Sequence, residues 1–277
     1  MPLLPPFDRI DGLIMARSQQ DIDKAWKELL AGTMTPLHRA RMGLRTIPSA
    51  PRCKLCLAPF GPPGGAILRL AGRGRWEGNP ALCRICIGKL ARISGGAEVE
   101  VSVLFADIRG STGVAESMSP SDFRALLNRF YQEAAQAVDK AMGVVDKFLG
   151  DGILALFVPG IGGPDHPRQA VEAGVDILQA TGNASATEPP WLPVGAGIHT
   201  GIAFVGSVGT AETVDFTALG DTVNAAARLG EVAKAGELLI SMETAAAARI
   251  DGTGLELRTL ELKGRSQTLN VLVLPPE

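Results

Sequence analysis

Cysteine is absent from the last 191 residues of this 277-residue chain; the four it has form two Cys-x-x-Cys pairs, Cys53/Cys56 and Cys83/Cys86. A disulfide framework running through the chain is excluded, and two such pairs 26 residues apart have the spacing of a tetrathiolate metal site. Aromatic residues are scarce at 5%. The core must therefore be built from aliphatic side chains and close backbone approaches. Long apolar runs are also missing. Stretches such as 99–106 and 171–180 carry interruptions and fall short of the roughly 18 to 20 residues that span a membrane. Met1-Pro-Leu-Leu-Pro-Pro6 lacks the basic start and apolar segment of a secretory leader, so a cytoplasmic protein without membrane contact is expected.

What is present divides by charge. Residues 1–94 hold 15 Lys/Arg against 6 Asp/Glu, a net of +9, and the remainder holds 12 against 23, a net of −11. The spacing predicts an amphipathic helix over 21–30, and the Gly- and Pro-rich stretch 48–80 predicts turns around the cysteine pairs. A helical segment over 1–50, a metal-stapled module over 51–93 and a larger domain over 97–277 are expected. Zinc is the expected ion at the cysteines, with an iron–sulfur centre the alternative. The basic surface of the first part is read as solvated or docked on protein, with nucleic acid the less favoured partner.

The larger domain alternates strand and helix. A strand over 99–105 runs into the turn-prone Asp107-Ile-Arg-Gly-Ser-Thr112. Ser119-Pro120-Ser121-Asp122 starts a helix in which Phe123, Leu127, Phe130 and Tyr131 have core spacing. Two apolar runs around Leu149-Gly-Asp-Gly152 predict a hairpin with Asp151 at its tip. Then follow a helix over 166–180, a strand pair over 194–205, a strand over 214–219 and a helix from Asp221. Asp221 and Thr222 are read as its N-cap and first residue, and His199 as a packed histidine.

Asp107 closes one strand and Asp151 tips a neighbouring hairpin, so central pairing brings two carboxylates together, a donor set suited to divalent cations and a triphosphate. Asn224 and Arg228, four apart, share a helix face, while Lys147 and Thr217 sit on strands just ahead of Gly150-Asp151 and Gly220-Asp221.

Four motifs in this order resemble the class III nucleotidyl cyclases: Phe105-Ala-Asp-Ile-Arg-Gly-Ser-Thr112, Lys147-Phe-Leu-Gly-Asp-Gly152, Gly197-Ile-His-Thr-Gly201, and Phe216-Thr-Ala-Leu-Gly-Asp-Thr-Val-Asn-Ala-Ala-Ala-Arg228. The resemblance spans residues 98–277. It implies an α+β fold with a ferredoxin-like, palm-type antiparallel sheet and flanking helices, working as a homodimer on ATP to make cyclic AMP. It makes Asp107, Asp151 and the Ile108 carbonyl ligands of two Mg²⁺ or Mn²⁺ ions. Lys147 and Thr217 would read the purine, Asn224 orient the ribose, and Arg228 meet the reacting phosphate. Lys263, in Leu262-Lys-Gly-Arg265, would hold phosphate. Lys147 only donates hydrogen bonds, matching N1 of adenine, and the Lys/Thr pair is typical of a bacterial adenylate cyclase subgroup. A guanylate cyclase is the alternative among enzymes. A nucleic-acid-binding zinc protein with a degenerate cyclase-like domain is the alternative outside them.

Overall fold

The computed structural model describes residues 19–47, 49–77, 79–92, 95–184, 188–209, 214–261 and 268–275. They divide into two compact units, one made of residues up to Val99 with 159–163 and 204–218, the other of 100–158, 164–203 and 219 onwards.

The first unit opens with helices α1 (Gln19–Leu30) and α2 (Thr35–Arg45). The 3.6-residue apolar stripe of α1 buries Trp26, Leu29 and Leu30, and Trp26 stacks on Phe216 with ring centroids 5.8 Å apart. A single helical turn, Pro159–Gly162, lies against the end of α1: a Cβ on Gly160 would stand 2.3 Å from the Leu29 carbonyl oxygen, so only glycine fits. The cysteine region is more regular than its composition predicts. Helix α3 (Gly64–Leu70) starts directly after Pro62-Pro63, a place where missing N–H groups cost a helix nothing. A short antiparallel pair, β1 (Arg75–Trp76) and β2 (Asn79–Cys83), leads into α4 (Arg84–Arg92).

In the second unit, strand β3 (Gly96–Ile108, whose first residues belong to the other unit) pairs antiparallel with β5 (Gly152–Phe157), and β5 with β4 (Val144–Phe148). The sheet continues from β3 through β6 (Val194–Gly209), β8 (Leu238–Ser241) and β10 (Leu269–Leu274) to β9 (Glu256–Leu260), with β7 (Val214–Leu219) pairing β6. β8 pairs antiparallel with β10 and β10 with β9, whereas β6 and β8 are parallel and joined through a crossover helix, as that direction requires. The strand pair expected over 194–205 is one unbroken 16-residue strand, since Gly197 and Gly201 serve close packing and not a turn.

Strand alternation divides the core. Leu238, Ile240 and Leu272 point with Leu104, Ile153 and Phe157 towards helices α6 (Pro120–Lys140) and α7 (His166–Ala180), which supply Phe130, Ala134, Val138, Ile177 and Leu178. Leu239 and Val271 point to the opposite face and pack on Leu229 of α8 (Asp221–Val232). α8 lies close to the sheet because Gly197 has no side chain: a Cβ there would stand 2.2 Å from the Gly230 nitrogen. Helices α5 (Ser111–Glu116) and α9 (Met242–Ala248) complete the unit. The architecture is the expected mixed α+β cyclase-like fold, preceded by a helical segment and a cluster of four cysteines.

Candidate active site and metal centre

The sheet register brings the two expected carboxylates together. Asp107, the next to last residue of β3, lies opposite Gly152, the first of β5, and the Ile108 amide donates to the Asp151 carbonyl at 3.0 Å. Asp151 therefore sits where the hairpin tip meets the end of β3. Burial raises the Asp107 carboxyl above its ordinary pKa and the Asp151 charge adds to this, while Arg109 opposes both. Arg109 donates to Asp107 Oδ2 at 2.9 Å, to the Asp107 carbonyl at 3.2 Å and to the Glu231 carbonyl at 2.7 Å. The other oxygen, Oδ1, is buried and has no hydrogen-bond partner among the described residues. An unpaired buried carboxylate oxygen beside a second carboxylate is costly on its own and is the donor a hard cation takes.

Three residues that periodicity and turn propensity left unassigned, or assigned only to the core, shape this corner. Arg109 holds Asp107, Ser111 donates its hydroxyl to Asp151 Oδ2, and Tyr131 donates to the Gly150 carbonyl while packing on Phe148 with ring centroids 4.3 Å apart. Only the presence of Arg109 and Ser111 inside the Asp107 motif hinted at such parts. Gly150 at the tip has φ +74°, the left-handed backbone that glycine adopts without strain.

Lys147 is half-buried on β4 opposite Leu154, with Nζ 3.7 Å from the Asp146 carboxylate. Asn224 and Arg228 lie on the exposed face of α8, whose other face buries Thr222, Ala225, Ala226 and Leu229. Arg228 pairs with Glu231 one turn on. Thr217 is buried on β7, in the other unit. Lys263 lies outside the described residues. The helix begins one residue earlier than expected. Gly220 takes the cap position and Asp221 the first turn, while Thr222 donates to the Ile202 carbonyl at 2.6 Å, a structural contact. His199 is buried with Nδ1 2.8 Å from Ser241 Oγ.

Residues 96–274 match the family of adenylate and guanylate cyclase catalytic domains. The chain belongs to that family. The cyclase domain resembles the crystal structure of the guanylyl cyclase Cya2, with TM-score 0.59 and 29% identity over 65% of this chain and 93% of that one. It resembles the adenylyl cyclase CyaB from P. aeruginosa equally in sequence, with TM-score 0.57 and 29% identity over 65% and 95%. Similar sequences include the uncharacterized proteins Rv1318c of Mycobacterium tuberculosis, 36% identical over 156 residues, and Rv1319c, 33% identical over 183. The matches cover 56% and 65% of this chain but 28% and 34% of those relatives, so the chain spans about a third of the length of the curated relatives it matches. The cyclase domain is thus a nucleotidyl cyclase catalytic domain, of a class that uses two divalent metal ions and binds nucleotide as a dimer.

The four cysteines form a second site. Their Sγ atoms all lie within 4.8 Å of one another and the side chains are buried, a donor set that fits a metal ion such as zinc. The first pair is shaped by a tight turn, in which the Leu57 amide donates to the Cys53 carbonyl at 2.8 Å and Leu57 takes φ +62°. Lys54 N–H reaches the Ala81 carbonyl at 2.8 Å and Cys83 N–H reaches Cys53 Sγ at 3.3 Å, seating the turn on β2. No helix among the described residues is long and apolar enough to cross a membrane.

Proposed function

We propose that this chain is an adenylate cyclase, converting ATP to 3′,5′-cyclic AMP and pyrophosphate at the interface of a homodimer. The observation that carries this reading is the pair Asp107 and Asp151 at adjacent strand ends, with Asp107 Oδ1 buried and unpartnered among the described residues. Two Mg²⁺ or Mn²⁺ ions bound there, with the Ile108 carbonyl as a further ligand, supply the Lewis acidity that makes the ribose 3′-hydroxyl a nucleophile and neutralises the leaving pyrophosphate.

The chain's own residues do the rest. Asn224 orients the ribose so that its 3′-oxygen faces the α-phosphorus. Arg228 exchanges Glu231 for the α-phosphate, placing fixed positive charge where negative charge grows as the 3′-oxygen bonds to phosphorus and the bond to the β-phosphate breaks. Lys263 holds the triphosphate tail. Lys147 donates to N1 of adenine and the Thr217 hydroxyl accepts from its amino group; guanine carries a donor at N1 and an acceptor at position 6, which reverses both contacts. The carboxylates come from one protomer, and Lys147, Thr217, Asn224 and Arg228 from its partner. One zinc ion per chain at the cysteines belongs to a segment that regulates or positions the catalytic domain.

The equal similarity to a guanylyl and an adenylyl cyclase keeps guanylate cyclase as the second reading. Turnover of ATP and of GTP with Mn²⁺, followed by product chromatography, separates the two: cyclic AMP from ATP at a much higher kcat/KM is expected, and preference for GTP overturns the base assignment. Asp107→Ala is expected to abolish turnover of either. If it does not, the carboxylates are not the metal ligands.

A further inference from the structure

Arginine converges on one cavity of the first unit from three separate elements. Arg69 stands in the last turn of α3, Arg75 opens β1 and Arg84 opens α4. The turn between α3 and β1 draws them together. Gly72 takes φ +74°, the Arg84 amide donates to the Gly74 carbonyl at 2.9 Å, and a Cβ on Gly74 would stand 3.4 Å from Arg69 Cγ. The space that these residues line with Phe60 is about 440 Å³, within the size range of small-molecule sites.

Among the described residues no carboxylate lines this cavity. Glu77 pairs with Arg84 at 3.1 Å, but both side chains are exposed, so the pair contributes little and an incoming anion can displace it. Arg84 does not serve its own helix either, because a cation at a helix N-terminus opposes the macrodipole. Arg75 is held in place by the Phe60 ring, whose centroid lies 5.2 Å from its guanidinium carbon. Three like charges around one hollow repel one another, and a hollow lined by one sign concentrates ligands of the other. The net +9 of residues 1–94 draws anions towards the same part of the chain.

Counting acceptors selects the ligand. A carboxylate has two oxygens, which one guanidinium fork satisfies. The phosphodiester of a nucleic-acid strand also leaves only its two unesterified oxygens. A terminal phosphate offers three strong acceptors, one for each arginine. We propose that Arg69, Arg75 and Arg84 form a binding site for the terminal phosphate of a small molecule, supplied as inorganic pyrophosphate or as a nucleotide. None of these residues belongs to the proposed catalytic set, and the site does not depend on the cyclase reading.

Calorimetric titration of the full-length protein with inorganic pyrophosphate, without added Mg²⁺ or Mn²⁺, is expected to show one saturable site per chain. Arg69→Gln and Arg84→Gln are each expected to weaken it about 10- to 100-fold, the loss of a hydrogen bond to a charged group, and Arg69→Lys to restore only part of that. Asp107→Ala is expected to bind as the wild type does. Binding that survives both glutamine variants but is lost in Asp107→Ala lies at the carboxylates and overturns the site, as does the absence of saturable binding. Competition then separates the sources: displacement of pyrophosphate by 5′-AMP marks a nucleotide site, and its failure a site for inorganic polyphosphate, both on the same arginines. Equal displacement by 3′,5′-cyclic AMP, whose phosphate is a diester, overturns the requirement for a terminal phosphate. Displacement by single-stranded RNA without terminal phosphates, or by phosphatidylglycerol vesicles, does the same. Hydrogen exchange of the wild type keeps the test independent of how the variants fold: saturating pyrophosphate is expected to slow exchange at 69–76, and unchanged exchange there overturns the site. A chain that binds pyrophosphate here and cyclises no triphosphate would refute the cyclase reading and leave this one intact.

Discussion

Asp107 is under opposing demands: burial favours its neutral form, Arg109 favours the carboxylate, and Oδ1 has nothing to accept from among the described residues. Gly152 is what leaves room there. A Cβ at this position would stand 3.2 Å from Asp107 Oδ1 and 3.1 Å from the Ala106 carbonyl oxygen, close enough to crowd the proposed cation ligand without breaking the strand. Gly152→Ala is therefore expected to weaken Mn²⁺ binding about 10- to 100-fold with little change in melting temperature, read by titration with Mn²⁺ under electron paramagnetic resonance. Wild-type affinity in this variant would show that Oδ1 is not a ligand. Arg228 makes a different case, because its exposed pair with Glu231 adds little stability. Arg228→Ala should lower kcat about 10²- to 10³-fold, as removal of a preorganised transition-state donor does, and leave the fold intact.

At the scale of elements, what was legible depended on whether the signal is local. Ser119 and Pro120 announce α6, and the Ser119 hydroxyl does accept from the Asp122 amide at 3.2 Å. The hairpin around Leu149-Gly-Asp-Gly152 and helices α1 and α7 were equally readable from period and turn chemistry. The unbroken β6 was not, because Gly197 and Gly201 look like turn residues until α8 is seen packed on them. Nor were α2, α3 and the strand pair by the cysteines, where tertiary and thiol contacts override a composition that favours turns. In the site the motif positions were legible, but the roles of Arg109, Ser111 and Tyr131 were not, since each partner is reached only through folding. Helix α7 offers a test of another non-local feature. Its first residue, His166, is buried with Nδ1 3.1 Å from Ser102 Oγ, which lies 2.8 Å from Thr200 Oγ1. Burial lowers its pKa below the ordinary 6.5, partly offset by Glu100, so the folded state disfavours protonation. The unfolded chain takes up the proton first as pH falls below about 6.5, and stability is lost from there down to the folded-state value. His166→Gln is expected to flatten the decline of the urea midpoint between about pH 7 and pH 5, and an unchanged slope would place the acid sensitivity elsewhere.

At the scale of the whole molecule, the exposed Asn224 and Arg228 and the half-buried carboxylates are the two halves of one proposed site. The proposed division between protomers would be doubled by two-fold symmetry: an isologous dimer that places Arg228 of one chain at Asp107 of the other does so twice. Asp107→Ala and Arg228→Ala homodimers each spoil both sites. A mixed dimer is different, because both lesions fall in one site and the second site draws its Asp107 and its Arg228 from unmutated positions. Random re-pairing of equal amounts makes half the dimers mixed, each with one good site of two, so about a quarter of wild-type activity should return on mixing the two inactive variants. Activity should rise with the time allowed for subunit exchange and be absent if the variants are covalently fixed as homodimers beforehand. If both groups acted within one chain, no mixture could exceed its components, and the mixed preparation would stay as inactive as either parent.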